Sequence, residues 1–159
     1  TTLVLSVHMN APAELHSFLL KAHCDDIGII SGCSYETTIC FTPAWVPLFH
    51  IESDQYHITA PAGSYTNAKI EITNNGNADA IVYGEYSSIF DGWDIILNPE
   101  HILIASQQTK TMTMHIGIPD DCMNCMIGFN INFYGERPNQ SNKTKYIGSL
   151  DFTIRGYSP

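Results

Sequence analysis

The chain has 159 residues, a length that suits one domain able to bury its own core without a structural metal. Seven Lys and Arg against sixteen Asp and Glu give a net charge of −9. No basic stripe is present and no Lys/Arg run lies between aromatics, which argues against nucleic acid and anionic membrane surfaces as partners, since both require phosphate neutralisation. Charged residues are 14% of the chain, against about a quarter in an average domain. Ser, Thr, Asn and Gln must therefore carry solvation, as in secreted β-proteins and in subunits that bury much of their surface in an assembly.

Residues 1–10 alternate: Leu3, Leu5, Val7 and Met9 fall on one face, and Thr2, Val4, Ser6 and His8 on the other. This predicts a strand, ended by Asn10-Ala11-Pro12. Residues 14–23 fit either a short helix, through Leu15, Phe18, Leu19 and Ala22, or a strand. Residues 25–47 hold Pro43, Trp45 and Pro47 and read as a cross-linked, loop-rich flap. Short strands are expected at 46–51 and 55–59, with Pro61-Ala62-Gly63 breaking the chain. From Tyr65 to Tyr134 the pattern is a run of antiparallel strands. Ala68, Ile70 and Ile72 face one way, and Asn67, Lys69, Glu71 and Thr73 the other. Asn74-Asn75-Gly76-Asn77 predicts a tight turn with positive-φ positions. Trp93, Ile95 and Leu97 form the next inward set, then Met112, Met114, Ile116 and Ile118, then Ile127, Phe129, Ile131 and Phe133. The last strand, 145–154, points Tyr146, Leu150, Phe152 and Ile154 inward. The expected fold is all-β: an immunoglobulin-like or jelly-roll-like antiparallel β-sandwich over residues 13–159, with an N-terminal extension strand over residues 1–12.

The five cysteines, Cys24, Cys33, Cys40, Cys122 and Cys125, are spaced for local disulfides. One bridge is expected among the first three, and a tight bridge between Cys122 and Cys125. Asn139-Gln140-Ser141 and Asn142-Lys143-Thr144 are two glycan acceptors in one Pro-, Asn- and Ser-rich turn. With the cysteines, and with a chain that opens on Thr1-Thr2-Leu3 like a cleaved product, they point to a secreted, extracellular protein at the cell surface. No run of about 18 apolar residues spans a membrane.

The order Lys69-Ile70-Glu71-Ile72-Thr73-Asn74-Asn75-Gly76, then Gly92-Trp93-Asp94-Ile95, then Asn98-Pro99, then Thr113-Met114-His115-Ile116-Gly117-Ile118-Pro119 resembles the immunoglobulin-like modules of prokaryotic, and more particularly archaeal, cell-surface proteins. The resemblance covers residues 65 to 134 and implies a surface β-sandwich without fixing a ligand. In type the chain is similar to extracellular filament and pilus subunits that join such a domain to a free N-terminal strand. That similarity implies a homopolymer, with copies of the chain as partners.

Chemistry is sparsely marked. None of the seven histidines forms a metalloprotease pair, and there is no nucleophile elbow, P-loop or dinucleotide fingerprint. No enzyme activity or cofactor is expected. The main expectation is a filament subunit that donates the face Leu3, Leu5, Val7 and Met9 to the next copy. The candidate acceptor groove is Ile127, Phe129, Ile131 and Phe133 with Leu150, Phe152 and Ile154. The alternative for residues 1–10 is an edge strand of their own sheet. The other functional reading is a secreted binding module, for glycans or for a soft metal such as copper. The metal would use Met112, Met114, His115, Cys122 and Cys125, although core methionines and a loop disulfide explain the same residues. Asp25, Asp26, Asp79, Asp91, Asp94, Asp120 and Asp121 are expected as solvated turn residues rather than calcium ligands. Of the aromatics Trp45, Phe49, Tyr56, Tyr65, Tyr83, Tyr86 and Trp93, the readings for Tyr83 and Trp93 are core, and Tyr86 and Trp45 are the candidate surface rings.

Overall fold

Among the described residues, strands form where the sequence alternates. The computed structural model describes residues 6, 8, 11–24, 33–87 and 91–158. Among them are β1 (His16–Cys24), β2 (Cys33–Phe41), β3 (Phe49–Ser53), β4 (His57–Pro61), β5 (Tyr65–Asn74), β6 (Ala80–Tyr86), β7 (Asp94–Asn98), β8 (His101–Ile104), β9 (Thr109–Gly117), β10 (Met126–Arg137) and β11 (Gln140–Tyr157). The chain divides into two units, Thr1–Trp45 and Val46–Pro159. The sequence places the division between residues 12 and 13 instead. β1 and β2 make a two-stranded sheet, and among the described residues neither has another partner strand.

In the first unit β1 runs antiparallel to β2, from His16 opposite Phe41 to Cys24 opposite Cys33. The ambiguous segment 14–23 is thus a strand. A ten-residue helix is marginal without packing, whereas β2 offers every residue of β1 a register partner. β2 also corrects the flap: Cys33–Phe41 is nine residues of regular strand. On one face the Phe18 and Phe41 rings meet edge to face at 6.2 Å, and His16 stacks on Phe41 at 5.5 Å. On the other, Lys21 and Glu36 pair at 2.7 Å, both largely exposed, so the pair contributes little stability.

The second unit is a sandwich of a four-stranded sheet, β3-β5-β9-β7, and a five-stranded sheet, β4-β11-β10-β6-β8. Pairing is antiparallel except between β11 and β4. With the edge strands β4 and β8 set aside and the other seven lettered in chain order, the first sheet has the ABED arrangement of immunoglobulin domains and the second contains their CFG strands. The fold is therefore an all-β, immunoglobulin-like sandwich. The inward triplets make its core. Ile70, Ile72, Met112, Met114 and Ile116 from one sheet and Val82, Ile104, Ile131, Phe133 and Ile154 from the other have no exposed surface. Ile95 and Leu97 are buried too, with Trp93 packed partly against them.

Two details depart from the pattern. Tyr146 is 58% exposed, not inward. Register passes from Phe133 opposite Gly148 to Tyr134 opposite Tyr146, so Ile147 is a bulge residue. A bulge shifts the alternation by one, which sends Ile147 to the core and Tyr146 to the outer face. The segment 74–79 is not a tight turn with positive φ: the non-glycine residues of positive φ among those described are Gln107, Asn124 and Asn139, and Gly76 is absent from the positive-φ glycines. β5 and β6 lie in opposite sheets, so the connection must cross the sandwich rather than fold back. Buried Asn74 makes the crossing possible. Its Nδ2 donates to Ala78 O (2.9 Å) and Ile104 O (3.1 Å), and its Oδ1 accepts from Gly76 N (2.9 Å). Asn77 Oδ1 accepts from Val46 N at 2.8 Å.

Asn74→Ala strands one buried donor and two acceptors at this crossing. A loss of about 1–3 kcal/mol is expected, read as a lower urea midpoint with an unchanged m-value.

Candidate functional site

The donor residues Leu3, Leu5, Val7 and Met9 lie outside the described residues. The residues expected to form an acceptor groove are core instead. Ile131 and Phe133 on β10 and Phe152 and Ile154 on β11 are at most 2% exposed, and Ile127 and Leu150 are at 7%. Phe129 is partly buried against them and stacks on Phe152 at 5.5 Å. Their side chains pack against the opposite sheet, and the backbone beside Ile131 and Phe133 is paired on both sides, by β11 and β6. An incoming strand has neither a vacant apolar face nor a free ladder at those two positions.

Among the described residues, a ladder without a partner lies one strand further out. β8 pairs with β6 over Ala80–Tyr83 only, while β10 pairs with β6 as far as Tyr86. Beyond Tyr83, the side of β6 away from β10 has no partner strand among the described residues. The other sheet ends in β7, which among the described residues pairs with β9 alone. Between the two margins is a hollow of about 460 Å³ lined by Gly84, Glu85, Tyr86, Ile96, Leu97 and Glu100. The Tyr86 hydroxyl donates to Ile95 O at 2.7 Å and sets the spacing of the two sheets there. Gly84 keeps the floor open, since a Cβ would lie 2.7 Å from Leu97 Cδ1. Ile96 is half-exposed at the mouth. The sequence signal that could have located this edge is length: a strand of seven residues lies beside one of four.

The soft-metal alternative does not assemble. Cys122 and Cys125 are joined in a disulfide, which removes both thiolates. Met112 and Met114 are sealed in the core. His115 faces the other way, its Nδ1 2.7 Å from Asn67 Oδ1. Among the described residues no three His, Cys, Asp or Glu side chains group as metal ligands. The disulfide loop packs on β11 at Gly156, where a Cβ would collide with Cys122 Sγ. Gly156 N also donates to Cys125 O at 2.9 Å. In the first unit the register sets Cys24 opposite Cys33, while Cys40 is opposite Ser17 and is an exposed free cysteine.

The aspartates serve local structure. Asp79 Oδ1 accepts from Ser106 N at 2.9 Å, and Asp54 Oδ1 accepts from Lys69 N at 2.8 Å. Asp91, Asp94, Asp120 and Asp121 are exposed, Asp120 beside Gly63; Asp25 and Asp26 lie outside the described residues. Asn139 is exposed in the β10–β11 turn with φ 65°, and Asn142 follows within β11. Of the aromatics, Phe49 and Trp93 pack on the core and Tyr65 is 79% exposed. Tyr56 stacks on Phe152 at 6.0 Å, and its hydroxyl accepts from Ser53 N. Tyr83 is not a core ring: it is half-buried on the outer face of its sheet, beside Tyr134.

No family model matches the chain, and no curated protein matches its sequence. Among solved structures, it is similar to a PapD-like domain of human CEP192, at 12% identity and a TM-score of 0.47 over 69% of this chain and 84% of that one. It is also similar to the E. coli chaperone DraB, at 13% identity and 0.48 over 70% and 57%. The C. elegans MSP family member WR4 aligns at 10% identity and 0.42 over 67% and 96%. Likenesses of this size carry no inference about ligand or activity.

Without reductant, iodoacetamide is expected to label Cys40 and to leave Cys122 and Cys125 linked in one peptide. Labelling of Cys122 in the native, unreduced protein would contradict the loop structure.

Proposed function

We propose that this chain is a structural subunit of an extracellular filament that grows head to tail by strand addition. The N-terminal strand of one copy, through Leu3, Leu5, Val7 and Met9, pairs along Gly84–Tyr86 of the next and covers Ile96. The observation that carries the reading is the half-strand of β6 that has no partner strand among the described residues, beside a hollow lined by Tyr86, Ile96 and Leu97 as well as Glu85 and Glu100. An unpaired edge of this kind is a ready template for another chain, and strand addition supplies main-chain hydrogen bonds with alternate side chains in pockets.

Three further facts support it. The sandwich Val46–Pro159 has its own core and strand ladders. Residues 1–10 contain no carboxylate, so Glu85 and Glu100 at the hollow do not repel them. Ten extended residues span about 33 Å, ample for a three-residue edge and its flanks. The contact joins unlike surfaces, so it does not close on a two-fold axis and propagates. An extracellular setting is supported by the Cys122–Cys125 disulfide, the low charge and the exposed Asn139 acceptor.

Deleting residues 1–10 is expected to abolish polymerisation and leave a soluble, folded monomer. Ile96→Arg in the full chain should do the same from the acceptor side, and mixing the two variants should restore dimers but not fibres. Polymerisation by the truncated chain overturns the reading.

A further inference from the structure

One row of rings crosses the outer face of the five-stranded sheet. His101 on β8 is the register partner of Tyr83 on β6, Tyr83 of Tyr134 on β10, and Tyr134 of Tyr146 on β11. Ring centroids are 5.1 Å apart for His101–Tyr83, 5.7 Å for Tyr83–Tyr134 and 6.0 Å for Tyr134–Tyr146. Neighbouring strands lie about 4.8 Å apart, so the strip is about 15 Å long. We infer that this row, His101–Tyr83–Tyr134–Tyr146, is a binding strip for a neutral carbohydrate chain.

Cross-strand aromatic pairs also stabilise a sheet, and Tyr83 and Tyr134, both half-buried, do that here. Stability alone does not account for Tyr146. It reaches this face only through the bulge at Ile147, and it is 58% exposed, set edge to face at the end of the row. Bulges recur where a side chain is re-aimed. Among the described residues none of the three phenol hydroxyls has a hydrogen-bond partner. The rings are therefore large, rigid contact surfaces with polar tips still open to a ligand.

The surroundings select the ligand class. On one side of the row the outward register neighbours are Glu85, Asn132 and Ser149; on the other they include Glu136. Carboxylate, amide and hydroxyl groups bond to sugar hydroxyls as acceptors and donors, while the rings take the apolar C–H faces of a sugar. Glu85 and Glu136 flank the row on its two sides and disfavour an anionic chain, while the one adjacent cation of the register, Lys145 opposite Gly135, stands at the Tyr146 end. A flat strip suits a polymer lying across the strands better than a compact ligand, which needs a concave site.

The test uses the full chain in affinity electrophoresis against soluble neutral polysaccharides: a β-glucan, a mannan, a galactan and a water-soluble chitin derivative. At least one is expected to retard the protein. Tyr146→Ala and Tyr134→Ala should each weaken that interaction by about tenfold or more, whereas Tyr146→Phe, which keeps the ring, should stay within about threefold. Tyr146 is exposed enough that its alanine variant should fold, as an unchanged melting temperature would verify. Absence of retardation by all four polymers overturns the inference, as does undiminished retardation of Tyr146→Ala. Loss of self-association in these variants, without loss of glycan binding, makes the row a protein contact and also overturns it. Tyr134 and Tyr146 do not line the hollow beside β6, so failure of strand addition and failure of glycan binding are separable.

Discussion

Two sheets packed face to face leave four strand edges, and unpaired edges invite other chains. This sandwich handles them by breaking strands. β3 and β4 follow one another in sequence but edge different sheets, and so do β7 and β8. Each corner thus divides its strand length between the two layers. The four edge strands have five, five, five and four residues, whereas the inner strands run from seven to eighteen. Short edges limit unwanted pairing, but a short edge strand cannot cover a longer neighbour. The β5 overhang past β3 is capped locally: Asp54 Oδ1 and Ser53 Oγ take the Lys69 amide and carbonyl. The β6 overhang past β8 has no such cap among the described residues and opens onto a hollow of mixed polar and apolar lining. The same strand breaking that protects most of the margin thereby creates its most accessible template.

The faces of the sandwich were legible in the sequence because period-two alternation is a local signal. Ile70 and Ile72, Met112 to Ile118, and Ile131 and Phe133 all lie where their spacing puts them. What the spacing could not carry was anything set by the partner strand. The inward reading of Tyr146 assumed unbroken alternation, and one bulge residue reversed it. Tyr83 looked like core because it sits among apolar residues, although Val82 beside it takes the inward place. Asn74-Asn75-Gly76-Asn77 has the composition of a hairpin turn, and only the assignment of β5 and β6 to opposite sheets shows why Asn74 must be buried and triply bonded. For residues 14–23 the deciding fact was likewise non-local: a strand of matching length at 33–41.

Function was less legible than fold for a related reason. Chemistry declares itself in a sequence through spaced ligands or nucleophiles, and this chain has none grouped. The Met112–Cys125 cluster, suggestive as a string, is separated by the sheet into core thioethers, an outward imidazole and an oxidised loop. The two surfaces that remain are backbone edge and aromatic face. Both are created by strand pairing, so neither has a motif. The acceptor expectation failed for the same reason: the strong apolar faces of β10 and β11 are already used by the core, and the vacancy lies where a shorter neighbour stops.

The assembly state of the full-length native protein, seen by negative-stain microscopy and by gel mobility with and without heating in SDS, bears most directly on strand donation. Long fibres that resist SDS until heated are the expected result, because a strand held by a ladder and by buried side chains dissociates slowly. A uniform monomer at all protein concentrations, with no fibres and no heat-sensitive ladder, would contradict it and would return residues 1–10 to their own sheet.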